Sequence, residues 1–393
     1  MMNKKLLAVA VAGALAAPLA AFAQTTVTIS GILKTGVDNL RITSPNVART
    51  GNTSETRVTD NSSRIIFGIT EDLGNGLSAI GQIDMRFDPD LATAGGAPTL
   101  NAGGNTWVGL KSKTMGTVVI GRADLHYGLF EMSDIVLKAG ALMSAPVSLF
   151  DYVGTAAGPV AIAGNTRTNN VVMYDMPTFN GFDMRMAWSA NPTGVESDLG
   201  GTGAAGTVTR KGQAWNINPK YTAGNWGVRY SYWDQKADQG ATAAATPADQ
   251  RGNTVLGWMT FGGLKVALAW NQSSLKNALT GVETNKRNAW SIPINYYMGP
   301  HNFNFHYTKA EDDKIAQAGG LNATGAKMWA AAYVYDLSKR TTVGVTYAQI
   351  KNNANGLYNF FTNGNTGVFG STNGALLGGE TGSLFAATVR HAF

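Results

Sequence analysis

Apolar and polar residues alternate with a period of two in segments of about ten residues along most of the chain. The first such segment, Val27–Val37, places Ile29 and Leu33 on one face and Ser30 and Lys34 on the other. Side chains of a β-strand point alternately to its two faces, so each segment predicts a strand with one apolar and one polar face. This length is typical of strands that cross a membrane at a tilt.

The pattern predicts further strands as far as the C terminus. They are Arg64–Thr70, Leu77–Phe87, Thr106–Lys111, Thr117–Arg122, Asn169–Met176, Phe182–Ser189, Gln213–Thr222, Trp226–Gln235, Asn253–Phe261, Leu264–Gln272, Ala289–Met298, Asn302–Lys309, Lys327–Asp336, Thr341–Ile350 and Leu384–Phe393. The tally is about sixteen, and an even number brings both ends of a barrel to the same side of the membrane.

The connections between these strands alternate in length. Short turns rich in Gly, Asn and Pro supply hairpin geometry. The long segments are Asn39–Asp60, Asp124–Thr166, Ala190–Gly212, Lys236–Arg251 and Lys351–Gly382. Tryptophan and tyrosine residues, including Trp107, Trp226 and Trp329, gather near strand ends, where membrane headgroups favour amphipathic rings.

Composition favours a membrane barrel over a soluble β-sandwich. The chain has no cysteine, 48 glycines and only 14% charged residues, yet no long apolar stretch follows the N-terminal region. Backbone groups in lipid must all be hydrogen-bonded, so a membrane chain without apolar helices has to close into a barrel.

The N terminus has the pattern of a secretory signal. Lys4 and Lys5 precede an apolar run, and the segment ends with small residues at Ala21 and Ala23. This predicts a signal peptide over residues 1–23, cleaved after Ala23, and a barrel domain over residues 24–393. Losing the two signal lysines lowers the formal net charge from +6 to +4. The basic residues are scattered, which argues against nucleic-acid binding.

No residue pattern indicates an enzyme, a metal site or a cofactor. The four histidines, His126, His301, His306 and His391, have no Cys or carboxylate neighbours at metal-ligand spacing. A diffusion pore needs instead a width and an electric field, set by charged side chains at a narrow neck. Alternation predicts that Lys34, Arg64 and Arg86 point into the barrel and form a basic wall.

Several stretches together resemble one family. They are Val27–Gly31, Ser63-Arg64, Glu71–Leu77, Trp107–Leu110 with Gly121-Arg122, Arg167–Asn170, Tyr174, Pro177–Gly181 and Arg390–Phe393. In this order and spacing the chain resembles the trimeric general porins of Gram-negative bacteria, of the β-proteobacterial type. The resemblance implies an all-β, transmembrane 16-stranded antiparallel β-barrel, a homotrimer, and a third long loop folded into the pore as a constriction.

The resemblance also implies roles for individual residues. Arg167 joins the basic wall, and the acids Glu131 and Asp134 on the third long loop face it. Phe393 resembles the C-terminal signal read by the outer-membrane assembly machinery. One departure is Gly104, where the family often has an arginine, and the loop is unusually apolar. Both features weaken the expected anion preference.

These observations leave two classes of function open. The first is an outer-membrane channel for passive diffusion of small hydrophilic solutes and ions, with a mild anion preference, or its variant, a substrate-specific channel. The second is a surface adhesin or receptor that binds through its long loops. The strand tally favours the channel, because barrels of about sixteen strands leave an aqueous interior.

Overall fold

The computed structural model describes residues 25–44, 54–90, 100–126, 138–150, 152–155, 158–163, 167–192, 212–237, 248–278, 280–361 and 376–393. The strands are β1 (Thr26–Thr43), β2 (Ser54–Asp60), β3 (Arg64–Gly74), β4 (Leu77–Arg86), β5 (Thr106–Ser112), β6 (Gly116–Asp124), β7 (Tyr152–Thr155), β8 (Gly158–Ala161), β9 (Arg167–Asp175), β10 (Phe182–Ser189), β11 (Ala214–Ala223), β12 (Trp226–Gln235), β13 (Ala248–Phe261), β14 (Leu264–Asn277), β15 (Glu283–Met298), β16 (His301–Ala310), β17 (Ala326–Asp336), β18 (Thr341–Asn352) and β19 (Thr381–Ala392). A 3-10 turn (Leu142–Ser144) and the helices α1 (Val147–Phe150) and α2 (Lys314–Ala318) are short. Within these ranges no helix has the length and apolar character to span a membrane.

All the strands except β7 and β8 form one antiparallel sheet that closes on itself. β1 pairs with β19 along one edge and with both β2 and β3 along the other. β2 and β3 are therefore two pieces of one barrel strand, interrupted at residues 61–63, and the barrel has sixteen strands. Gly31 and Phe393 exchange two backbone hydrogen bonds, so the last strand closes on the first. The predicted fold class is confirmed.

Alternation sorts the side chains as predicted. Apolar side chains such as Ile29 and Leu268 are about three-fifths exposed on the outer face (62% and 60%), whereas the inner face holds polar residues and alanine. One aromatic residue departs from the prediction. Trp107 pairs in register with Gln82 and packs inside the barrel, so it is not part of an outer aromatic girdle.

The barrel extends further than the alternation indicates. The predicted connection Asn39–Asp60 contains the end of β1, which continues to Thr43, and all of β2. The Asn39 side chain donates to Thr56 Oγ1 at 2.8 Å across these two strands. Here Asn39 and Arg41 are exposed on the outer face, whereas Leu40 and Ile42 face the buried core. The apolar face is therefore the inner one, which is the reverse of the pattern that identifies the other strands.

The third long loop, residues 125–166, lies inside the barrel in its described parts, as predicted. It contributes the 3-10 turn, α1 and the hairpin β7–β8. Its buried apolar residues include Leu125, Ala141, Met143, Leu149, Phe150, Val153 and Ile162, and they share one core with wall residues that include Leu256, Ala269, Ala289, Met328, Ala330 and Ala348. α1 and the 3-10 turn contact β15–β18 directly. The apolar composition of the loop therefore serves its packing against the barrel wall.

A second connection also folds inward, which the sequence did not predict. Tyr358, Phe360 and Leu376 lie between β18 and β19 and are almost completely buried. Phe361 N donates to Ser148 Oγ at 2.8 Å, so this segment contacts the third loop directly. The described part of the third loop is thus held between the barrel wall and a second loop.

Candidate pore constriction

The inner face of the strands β3, β4, β6 and β9 carries a group of arginines. Arg64 on β3 lies opposite Arg86 on β4 in the strand register, and Arg167 on β9 lies opposite Asp124 on β6. The charges that act on Arg64 are those of Arg86, Arg167, Asp84 and Asp124. The structure therefore brings these three residues of the predicted basic wall together.

Lys34, the fourth residue, is buried, and the charges of Arg64 and Arg390 act on it. It is 2% exposed, and its backbone N–H donates to Ser63 Oγ at 3.0 Å beside the interruption between β2 and β3. Its register partner on β19 is Arg390, a basic residue that belongs to the C-terminal motif. Lys34 thus adds positive charge behind the surface of the wall.

Arg86 is paired with a carboxylate. Its Nε donates to Asp84 Oδ1 at 2.8 Å, and its Nη2 donates to Asp84 Oδ2 at 2.7 Å. A side chain at Gly104 would overlap the Asp84 carboxyl group. The glycine that stands where the family often has an arginine therefore makes room for the acid that orients Arg86.

Arg122 joins this group, although strict alternation assigns it to the outer face with Ile120. The pairing of β6 with β9 shifts register between Gly121 and Ala123, and Gly121 has a φ of 148°. Two steps along β6 face three along β9, from Val171 to Thr168, so the extra residue of this β-bulge lies in β9, where Asn170 has a φ of 55°. Arg122 stands beside the bulge and lies near Asp124, Arg86 and Asp84. A glycine within a predicted strand is a sequence signal that could have indicated the irregular pairing.

Arg185 is a second inward basic residue that the sequence reasoning missed. Its Nε and Nη2 donate to the two carboxylate oxygens of Asp175, at 2.5 and 2.6 Å, and its Nη1 donates to Asp124 O at 3.2 Å. The bidentate ion pair neutralises most of its charge toward the channel. Arg185 therefore supports the edge of the arginine group and contributes less to its field.

We call Arg64, Arg86, Arg122 and Arg167 the arginine cluster. Four guanidinium groups against two carboxylates, Asp84 and Asp124, leave a net formal charge of +2. The Nε atoms of Arg64, Arg122 and Arg167 are buried and have no hydrogen-bond partner among the described residues. Buried donors of this kind normally hold a partner, so the cluster offers N–H groups to an anion or to water.

The predicted loop acids Glu131 and Asp134 lie outside the described residues, as do the predicted signal peptide and its cleavage site. The acid that the structure does describe at the start of the loop is Asp124. Its Oδ2 accepts a hydrogen bond from Asn105 Nδ2 at 2.7 Å. In the part of the chain that the structure describes, no three His, Cys, Asp or Glu side chains gather in a way that would hold a metal ion.

Comparison with known proteins decides the family. A family model described as Gram-negative porin matches residues 8–355. The chain belongs to this family. The porin is similar to an outer membrane porin protein of Bordetella pertussis, with 24% identity over 384 residues that cover 89% of this chain and 95% of that protein. The porin described by this structure forms a channel in the outer membrane.

Two further similarities are informative. A protein of Halomonas sp named monosaccharide porin is 29% identical over 243 residues, 59% of this chain and 59% of that protein. The fold of the porin matches that of the anion-selective porin from Comamonas acidovorans with a TM-score of 0.74 and 22% identity, over 94% of this chain and 100% of that chain. The similarity to the Comamonas structure shows the fold of this porin.

Proposed function

We propose that this porin is a passive diffusion channel for small hydrophilic solutes and ions that prefers anions mildly, without a catalysed step. The observation that carries the proposal is the arginine cluster, with its net positive charge and its three buried Nε atoms that lack described partners. A ring of charges at a narrow, water-filled neck raises the local concentration of counter-ions. The name of the Comamonas structure agrees with this preference.

The preference is proposed as mild because the cluster is partly neutralised. Asp84 binds Arg86 in a bidentate pair. Lys34 is buried, and Glu131 and Asp134 are proposed to face the wall from the third loop. The basic wall of Lys34, Arg64, Arg86 and Arg167 therefore attracts anions only weakly. Neutral solutes remain free to pass.

Neutral sugars are the second candidate for the preferred solute. The observation that favours them is the similarity to the monosaccharide porin of Halomonas over 59% of the chain. Swelling of liposomes in isotonic solutions of single sugars measures this directly. Rates that separate sugars of equal size indicate a substrate-specific channel, whereas rates that follow size alone indicate general diffusion. A protein that gives neither swelling nor conductance would instead favour an adhesin or receptor.

The ion preference is tested by reversal potentials of single channels in planar bilayers under a salt gradient. Replacing Arg64 and Arg167 together by glutamine is expected to lower the anion-to-cation permeability ratio. A unit charge about 8 Å from an ion in water acts with roughly 0.5 kcal/mol, which is about twofold in permeability for each arginine. Because Arg86 is paired, R86Q is expected to change the ratio less, and D84N is expected to raise it.

The matched control is R251Q, which removes an exposed arginine that pairs with Asp234. It is expected to leave the reversal potential unchanged. A cation-selective wild-type channel would contradict the proposal at once. An R64Q/R167Q channel with the wild-type reversal potential would remove these two arginines from the site.

We further propose that the porin assembles as a homotrimer through the outer face of β1–β6. These strands carry aliphatic residues there, such as Val37, Val58 and Val108, and their only tryptophan, Trp107, faces inward. On the other strands, tryptophan and tyrosine residues including Trp188, Trp215, Trp270 and Tyr347 line the outer surface. An interface between subunits needs no aromatic rings at headgroup level, which fits the aliphatic sector.

Export and assembly complete the proposal. The porin is proposed to be cleaved after Ala23 and then recognised by the outer-membrane assembly machinery through Phe393. The Phe393 side chain is 41% exposed, on the same outward face as Phe385 and Val389. Its backbone closes the barrel on Gly31. The terminal ring is therefore accessible at the seam of the barrel, where an assembly factor would act.

A further inference from the structure

A buried arginine on the wall opposite the arginine cluster holds the third loop. Arg287 lies on the inner face of β15 and is completely buried. Its Nε donates to Tyr152 O at 2.8 Å, and its Nη2 donates to Phe150 O at 2.8 Å and also to Tyr152 O. One side chain thus binds two carbonyl groups at the point where α1 gives way to the hairpin β7–β8.

The same guanidinium continues into a row of polar side chains along the wall. Its Nη1 donates to Asn271 Oδ1 at 2.8 Å, and Asn271 Nδ2 donates to Thr254 Oγ1 at 2.8 Å. Thr254 lies 3.3 Å from His126 Nε2, and His126 Nδ1 lies 2.7 Å from Ser231 Oγ. His126 is near the start of the third loop. The row therefore connects the start of the loop to its hairpin across β12–β15.

Tyr358 packs on the other side of the hairpin. It is buried, and a Cβ atom added at Gly154 would come within 3.1 Å of its Cε2 atom. Its charge environment includes Arg287. The hairpin is consequently held between Arg287 on the wall and Tyr358 on the second inward loop, and a side chain at residue 154 would press on the Tyr358 ring.

The chemistry of the site requires arginine at this position. A guanidinium presents five N–H donors in a rigid fork, whereas a lysine ammonium is a compact point charge on a flexible stem. A buried charge is stable only when its donors are hydrogen-bonded. The two carbonyl groups and Asn271 therefore stabilise the buried Arg287 side chain, and Arg287 in turn fixes the position of the carbonyl groups. Movement of the hairpin would leave a buried cation without partners.

We propose that Arg287 is the positioning residue of the constriction loop and that it sets the size limit of the pore by fixing the hairpin against the wall. The proposal rests on the channel function but not on its ion preference. Arg287 acts through the loop, so its replacement should change the open-channel conductance, the current noise and the size limit for solutes. The reversal potential should stay as it is in the wild type.

The test compares R287Q, R287K and the control R251Q as single channels in planar bilayers and as pores in liposomes. A hydrogen bond from a charged group shifts an equilibrium about tenfold or more, so R287Q should populate displaced positions of the hairpin. We expect higher open-channel conductance, larger current noise and faster swelling in sugars near the size limit. R287K should lie between R287Q and the wild type, and R251Q should match the wild type.

A second variant keeps the proposal testable if R287Q fails to fold. Gly154→Ala leaves Arg287 in place but pushes the hairpin away from Tyr358, so it is expected to change conductance, noise and size limit in the same direction. Circular dichroism and heat-dependent migration on gels show whether each barrel is intact. Intact R287Q or G154A channels with wild-type noise and size limit would overturn the proposal. A shift in reversal potential alone would also overturn it and would assign Arg287 to the ion field.

Discussion

His126 is buried where the third loop enters the barrel, and its burial makes the stability of the folded protein depend on pH. Burial lowers the pKa of His126 to about 3 from the ordinary value of 6.5. Between these values the unfolded chain binds more protons than the folded chain, so stability is lost as pH falls through this window. The loss is at most about 1.4 kcal/mol per pH unit.

Replacing His126 by glutamine is expected to reduce this loss of stability in acid, because glutamine keeps a hydrogen bond to Ser231 without binding a proton. Guanidinium unfolding in detergent micelles at pH 7 and pH 4.5 measures the difference. His391 is exposed and lies beside Thr341, away from the third loop, so H391Q serves as the control for the loss of a histidine. An H126Q protein that loses as much stability as the wild type would show that His126 is not the group responsible.

Individual inward residues are predictable from sequence only while alternation holds. Lys34, Arg64 and Arg86 follow strict alternation, and the structure places all three on the inner face. Arg122 does not, because it lies near Asp124, Arg86 and Asp84 beside the irregular pairing of β6 with β9, although Ile120, two residues earlier, faces outward. The pairing of Arg86 with Asp84 was equally hidden, since it depends on space left by Gly104 on a neighbouring segment. Contacts between strands set the strength of the field, and alternation within one strand does not report them.

The part of β6 that faces the bulge in β9 has a backbone that depends on glycine. At Gly121 the φ of 148° is unfavourable for other residues, and an added Cβ would lie 2.7 Å from Trp107 Cα. Gly121→Ala is expected to destabilise the barrel by about 1–3 kcal/mol. It should also lower the anion preference, because Arg122 follows Gly121 directly and a shift of the backbone there moves its side chain away from the arginine cluster.

Unfolding in detergent and reversal potentials check the two parts of this prediction. Gly257→Ala is the matched control, because a Cβ atom there meets only Gly227 O at 4.0 Å. It is expected to change neither property. If G121A unfolds at the same denaturant concentration as the control, the backbone at residue 121 does not require glycine.

The third loop shows why elements inside a barrel are harder to predict than its strands. Its apolar composition was visible in the sequence and suggested only a weaker anion preference. The structure gives this composition a packing role against the alanine-rich wall, for example Leu149 and Phe150 near Ala289 and Ala330. The strands of that wall were predicted correctly, but alternation does not state which loop covers an alanine-rich inner face. Hydrogen bonds such as that from Arg287 join residues more than 130 positions apart.

The barrel as an assembled unit was the most predictable feature. Sixteen strands, alternating short and long connections and closure between β1 and β19 all follow from periodicity and turn residues. The outer surface, however, divides into a mostly aliphatic sector on β1–β6, which includes Phe67 but no tryptophan or tyrosine, and an aromatic sector on the remaining strands, and alternation alone does not show this division. Both sectors are apolar enough for lipid. The division therefore has to be explained by something that only one sector contacts, which we propose to be a second subunit.

A bulky ring introduced into the aliphatic sector tests whether a second subunit or lipid covers that surface. Val108 is 65% exposed there, and Leu268 is 60% exposed in the aromatic sector next to Trp270. Lipid accommodates a tryptophan at either place, but a packed subunit interface does not tolerate added volume. We expect V108W to lower the temperature at which trimers dissociate on unheated gels and to yield monomers in cross-linking, whereas L268W should behave as the wild type. Equal dissociation temperatures for the two variants would place the interface elsewhere, and a wild-type protein that is monomeric in both assays would remove the trimer altogether.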